Sequence, residues 1–217
     1  MMGTELCELE GWTYRVRLPE GGAAPRVILL LHGWLGNEDV MWVFASRLPR
    51  GALVFAPRAI YAAPGGGFSW VDRRSSAFST LEEFRPAVGA LENLLGLLQP
   101  RYAGDFSQVD LIGFSQGAAL AFSWMATLPG RVRSAAGLAG FVPEGIGGLA
   151  GGRPFEGKRV FMAHGSADGI VPPALARAGR ETLEAGGARV EFCEEAVGHK
   201  VGAGCGRRLG EFFGQAN

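Results

Sequence analysis

Val109-Asp110-Leu111-Ile112-Gly113-Phe114-Ser115-Gln116-Gly117-Ala118-Ala119-Leu120-Ala121-Phe122 is the stretch that decides the fold. Its first four residues read as a buried strand, and the run from Ala118 reads as a helix opening. Five residues with glycine at each end lie between them, which leaves room only for a tight turn. Strand, tight turn and helix in immediate succession belong to an α/β architecture.

The same alternation extends outward in both directions. Glu5–Leu9 and Trp12–Leu18 read as an antiparallel pair joined at Glu10-Gly11. Arg26–His32 reads as a strand apolar on both faces, as the inner strands of a parallel sheet are. A helix is expected over Asp39–Leu48, stopped by Pro49, and a strand over Ala52–Ala56. Residues 58–80 show no periodicity and include Pro64-Gly65-Gly66-Gly67, so they form a long loop of the kind that is functional or mobile. Leu81, Phe84, Val88, Leu91, Leu94, Leu95 and Leu98 make a helical stripe, with Pro86 implying a later start or a bend. Further strands fit Gln108–Ile112, Ser134–Ala139, Arg159–Ala163 and Arg189–Glu194. Helices fit Gln116–Leu128, Pro173–Ala185 and Ala203–Phe213. The expected fold class is α/β, a mostly parallel sheet with helices on both faces, formed by one domain over residues 1–217.

A Gly-x-Ser-x-Gly pattern arises by chance in so glycine-rich a chain with a probability of roughly a quarter. Position makes the difference. A serine held in a strained turn between strand and helix projects its hydroxyl above the sheet, with the positive helix end behind it. That makes Ser115 the candidate nucleophile. A serine hydroxyl needs a base, and the chain has only His32, His164 and His199. His32 and His164 each end a strand before a glycine, where turn hydrogen bonds account for them. His199 follows the last strand, and Asp168 follows the strand over Arg159–Ala163, giving the order Ser, Asp, His. Asp168 could accept the second ring N–H of His199 and stabilise the imidazolium. Asp110 enters its strand from the wrong end, and Asp39 and Asp72 precede Ser115. Two N–H groups are needed for an oxygen that gains charge. Gln116 supplies one from its backbone, and Trp34 is the first choice for the other, with Leu35 second.

Twenty-one basic and twenty-one acidic residues cancel, and no basic stripe points to nucleic acid or an anionic membrane. Cys7, Cys193 and Cys205 are odd in number and lack metal-ligand spacing. No metal and no disulfide framework is expected, and a reducing cytoplasm is the default compartment. The longest aliphatic run, Val27–Leu31, is too short to span a bilayer. The N-terminus lacks the basic region and apolar run of a signal peptide.

Four segments then act together: Leu31-His32-Gly33-Trp34-Leu35-Gly36-Asn37-Glu38, Gly113-Phe114-Ser115-Gln116-Gly117, His164-Gly165-Ser166-Ala167-Asp168-Gly169-Ile170-Val171-Pro172 and Gly198-His199. In that order and spacing they resemble the phospholipase/carboxylesterase family of small α/β-hydrolases, which includes the acyl-protein thioesterases. The resemblance runs from about Arg26 to Phe213. It implies an α/β-hydrolase fold without a large lid domain, and a cofactor-free serine esterase with Ser115, Asp168 and His199 as triad. It also implies oxyanion donors at the Trp34 and Gln116 backbones. Phe68-Ser69-Trp70-Val71-Asp72 looks like the family's aromatic–aspartate segment beside the substrate groove, so Leu35, Phe68 and Trp70 are groove candidates. Trp34, Trp42, Phe68 and Trp70 either line an apolar groove or pack beneath the long loop. Trp34 is bulkier than the residue many relatives carry, and the glycine-rich segment from Ala139 to Arg159 leaves the facing wall unspecified. The expected substrate is a small ester, with lysophospholipid and thioester as variants, and a homodimer stays open. An acyltransferase or a non-catalytic binding protein on the same scaffold are the alternatives.

Overall fold

The computed structural model describes residues 4–21, 25–72 and 78–214. β1 (Glu5–Leu9) and β2 (Trp12–Arg17) form the expected antiparallel pair, and β3 (Arg26–Leu31) is buried throughout its apolar run. Val27, Leu29 and Leu31 face one core layer, and Ile28 and Leu30 face the other. An alternation with no polar member is what a strand covered on both sides requires. β4 (Leu53–Pro57) pairs parallel with β3 on one side. A two-residue hairpin follows, β5 (Tyr61–Ala62) with β6 (Phe68–Ser69), inside the segment expected to be irregular.

α1 (Leu81–Leu98), β7 (Asp105–Phe114), α2 (Gln116–Thr127) and β8 (Val132–Leu138) come next. β9 (Arg159–Gly165), α3 (Pro173–Ala185), β10 (Arg189–Glu195) and α4 (Ala203–Gly214) complete the order. The eight-stranded sheet runs β1-β2-β4-β3-β7-β8-β9-β10, parallel from β4 onward. α1, α2 and α3 pack on one face, around Leu91, Phe122 and Trp124; α4 packs on the other, around Phe161, Phe212 and Phe213. No large lid domain stands over the sheet among the described residues. β3 has β4 on one side and β7 on the other, so the chain reverses its direction of travel there. Ligands of open α/β sheets bind at the strand carboxyl ends beside such a switch.

Four expectations need correcting. The segment after β3 forms a 3-10 helix, Val40–Arg47, in place of an α-helix over Asp39–Leu48. Only Met41 and Ala45 are buried along it, the Asp39 carboxylate pairs with Arg15, and no side chain caps its start. The buried Arg17 guanidinium donates to the Ala45 and Pro49 carbonyls at 2.8 and 2.7 Å, satisfying the helix end. Of the two readings of Pro86, the later start is overturned: α1 begins at Leu81, because Thr80 and Glu83 form a capping box, and the Glu83 carboxylate accepts from the Thr80 N–H at 2.7 Å. Trp70 is fully buried, its indole N–H donating to the His32 carbonyl at 2.8 Å, so it belongs to the core and not to a groove.

The fourth correction concerns the cysteines. Cys193 at the end of β10 and Cys205 in the first turn of α4 are joined by a disulfide, with Cα atoms 5.7 Å apart. Cys7 is the free thiol among the described residues. Spacing in the sequence could not show that the 194–204 loop doubles back. The Glu195 carboxylate lies beside the sulfurs, but it accepts the Gly204 and Cys205 N–H groups at 3.1 and 2.8 Å, an anion at a helix start.

Candidate active site

Leu31 of β3 pairs with Gly113 of β7, so the loops leaving both strands start side by side. Ser115 follows β7 with φ 53° and ψ −115°, a conformation that costs a non-glycine residue free energy. Its neighbours enforce that turn. A Cβ at Gly117 would collide with the Leu31 carbonyl, and one at Gly113 would collide with the Gly117 backbone. The Ser115 N–H donates to the Leu138 carbonyl of β8 at 2.8 Å, and its own carbonyl accepts the Ala118 N–H at 3.0 Å. The elbow is therefore tied to the sheet on one side and to α2 on the other.

Gln116 occupies the first position of α2, where N–H groups lack helical acceptors. Its side chain performs a role that the sequence did not reveal. Oε1 accepts the Trp70 N–H at 2.9 Å, and Nε2 donates to Ser69 Oγ at 3.1 Å. Ser69 Oγ in turn donates to the Val71 carbonyl at 2.8 Å. This buried network fastens the loop after β6 to the elbow. In the loop after β3, the Leu35 N–H is already given to the Phe68 carbonyl at 3.0 Å. The Leu35 N–H is thereby directed at β6 and away from Ser115.

Asp168 and His199 stand beyond β9 and β10, on loops laced together by backbone bonds. Ser166 N–H donates to the Glu195 carbonyl and Ala167 N–H to that of Val197, at 2.8 and 3.0 Å. His199 Nδ1 lies 2.8 Å from Asp168 Oδ2. Asp168 Oδ1 accepts the Ile170 and Val171 N–H groups at 2.8 and 3.0 Å. Burial raises the Asp168 pKa, but the His199 bond and the two amides outweigh it, and the net direction is downward. The carboxylate is therefore ionised at neutral pH, so His199 Nδ1 must be the donor. Nε2 of the neutral ring then keeps its lone pair. The Phe114 ring meets His199 edge-on with centroids 5.0 Å apart, which fixes the imidazole plane.

Of the other two histidines, His32 has both ring nitrogens committed to the backbone and His164 has Nε2 so committed. His32 Nδ1 donates to the Gly33 carbonyl at 2.7 Å, and Nε2 accepts the Ala59 N–H at 3.0 Å. Burial lowers its pKa to about 4. His164 Nε2 donates to the Val171 carbonyl at 2.9 Å and lies 3.5 Å from Asp168 Oδ2, bracing the carboxylate loop. Asp110 lies within β7, five residues before Ser115, its buried carboxylate held by Arg26, Arg133 and Ser134.

Two cavities open beside Ser115, with Trp34 on the wall of both. The larger, about 490 Å³, lies over the 3-10 helix and is bounded by Leu35, Phe44, Phe114 and His199. The smaller, about 290 Å³, is bounded by Phe78, Gln116, Phe141 and the Gly169–Val171 segment. Leu35 thus lines a cavity that Ser115 also lines. Phe68 does not: it lies under the Arg58 guanidinium and borders a separate hollow near Trp12 and Ile60. Arg58 itself is held by a two-pronged ion pair with the buried Glu38, at 2.8 and 2.7 Å. Trp42 packs against the core beneath the 3-10 helix. Phe78, Phe141 and Ile170 escaped the sequence reading because nothing in their local pattern marks them; only the fold brings them to Ser115.

Solved structures of similar shape include the carboxylesterase of Bacillus cereus, with a TM-score of 0.81 at 23% identity over 94% of both chains. A carboxylesterase from Mesorhizobium loti has a TM-score of 0.80 at 23% identity, covering 98% of this chain and 99% of its own. Arabidopsis thaliana SOBER1 has a TM-score of 0.74 at 18% identity, over 88% and 98%. No match was found among curated protein sequences. The pattern of the family described as Phospholipase/Carboxylesterase matches residues 15–203. With that match spanning most of the chain, and with strand order and neighbours in agreement, the protein belongs to the phospholipase/carboxylesterase family and has the α/β-hydrolase fold.

Proposed function

We propose that the protein hydrolyses carboxylic esters through an acyl-enzyme on Ser115. His199 Nε2 takes the Ser115 proton as Oγ attacks the ester carbon, and the Trp34 and Gln116 N–H groups receive the oxyanion. Asp168 holds the imidazole in the required tautomer and stabilises its charged form. As the carbonyl re-forms, the His199 imidazolium gives its proton to the departing alcohol; water then attacks the acyl-enzyme with His199 again as base, releasing the acid and restoring Ser115. The observation that carries this reading is the 2.8 Å Asp168–His199 pair on a cavity that Ser115 also lines. Both bacterial neighbours are named carboxylesterases, which supports an ester as substrate, with thioesters cleaved by the same steps. One domain of 217 residues performs all of it. No helix among the described residues is long and apolar enough to cross a membrane. The Cys193–Cys205 disulfide removes the ground on which a reducing cytoplasm was expected, and favours a compartment in which thiols are oxidised.

A fluorophosphonate probe should label the wild type and not Ser115→Ala, and p-nitrophenyl esters should turn over only with the former. Equal labelling of both proteins would overturn the assignment.

A further inference from the structure

We infer that the larger cavity beside Ser115 is a leaving-group pocket, and that it takes a bulky apolar alcohol. This rests on the Ser115 and His199 roles proposed above. In the tetrahedral intermediate the carbon bonded to Ser115 Oγ carries the oxyanion, the acyl chain and the departing oxygen. Only the departing oxygen needs a proton. As its bond to carbon breaks and the carbonyl re-forms, it takes the proton that His199 Nε2 gained from Ser115. The leaving group must therefore extend on the side where His199 stands.

The two cavities differ in that respect. His199 contributes to the wall of the larger and not to that of the smaller, whose nearest boundary is Gln116 and the segment after Asp168. Trp34 stands on the wall of both and divides them. The smaller cavity thus receives the acyl chain by exclusion. The larger is walled by Val40, Met41, Val43 and Phe44 from the 3-10 helix, and on the opposite side Lys200, next to His199, is the one lysine or arginine of its lining. Its volume of about 490 Å³ lies within the roughly 300–1,000 Å³ that whole small-molecule sites occupy. A methyl or ethyl group would leave most of that apolar surface wet, whereas a cycloalkyl or terpenoid alcohol would cover it.

The test compares ethyl acetate with 2-cyclohexylethyl acetate, which share an acyl group and have similar leaving-group acidity, and ethyl acetate with ethyl octanoate. The wild type should favour the cyclohexylethyl over the ethyl ester by about tenfold or more in kcat/KM. Val40→Trp, at a half-exposed position on the cavity wall, should collapse that ratio and leave the octanoate-to-acetate ratio in place. Each ratio is taken on one preparation, so incomplete folding cancels. A wild type indifferent to the alcohol overturns the pocket assignment alone, as does a Val40→Trp variant that loses its acyl preference instead. Absence of turnover in both series, together with absent fluorophosphonate labelling, overturns the Ser115 reading and this one with it.

Discussion

Two histidines stand past strand ends of the same sheet, and they could hardly be used more differently. His32, after β3, is buried, and both ring nitrogens are committed to backbone partners. His199, after β10, has one nitrogen on a carboxylate and a ring that borders an open cavity. Residue type and strand-end position are shared, so neither decides the role. The partner decides it. An amide and a carbonyl fix a ring in its neutral state, while a carboxylate favours the charged state that a base passes through. His32 supports the loop bearing Trp34, and His199 is left able to accept a proton.

Breaking that contrast should have its largest effect on turnover. His199→Ala should lower kcat on a p-nitrophenyl ester by on the order of 10⁴-fold or more, far beyond what the lost bond to Asp168 takes from stability. The same change at His32 should show mainly as lost stability, because it leaves the Gly33 carbonyl and Ala59 N–H unpaired. Urea denaturation and steady-state kinetics on both variants make the comparison. A His32 variant that stays fully stable yet inactive would reverse the roles.

A second contrast is covalent. The Cys193–Cys205 bond closes a ring around His199, with twelve positions separating its ends, and no such bond holds the loop after His32. Replacing both cysteines by alanine should reduce unfolding stability by about 3 kcal/mol, the loop-entropy value for a ring of this size. It should also lower kcat, since the loop holding His199, the proposed base, gains freedom. Unchanged stability and kcat would mean that the backbone bonds from Ser166 and Ala167 suffice.

The smallest effect is on pH dependence. The His32 pKa is lowered from 6.5 to about 4 in the folded protein, so the unfolded chain binds the proton first as pH falls. Stability from this source is complete above the unfolded value and is lost as pH drops from 6.5 towards 4. By pH 5 the loss should be roughly 2 kcal/mol. Denaturation curves at pH 7.5 and pH 5 measure it, and His32→Asn should flatten the difference.

These contrasts also show what the sequence could and could not make legible. Gly113 and Gly117 mark the elbow because the clash they avoid is local, and the order Ser115, Asp168, His199 follows from strand order. The 2.8 Å contact between the last two depends on how the loops after β9 and β10 meet, which chain order leaves open. Trp70 misled because aromatic character says nothing of direction; its indole N–H finds a backbone carbonyl inside. The disulfide was hidden because its geometry depends on how the 194–204 loop folds back. The cavities draw on residues as distant as Val40 and Ile170, and no local period links them.

The left-handed backbone at Ser115 has a consequence for anyone who tries to improve this protein. Holding a serine at φ 53° costs about 1–3 kcal/mol, a sum that glycine would not incur. A selection that scores only heat resistance therefore has a short route to success at this position, and with Ser115 in its proposed role that route ends in an inert protein. Directed evolution of the scaffold would need a screen for ester cleavage in every round.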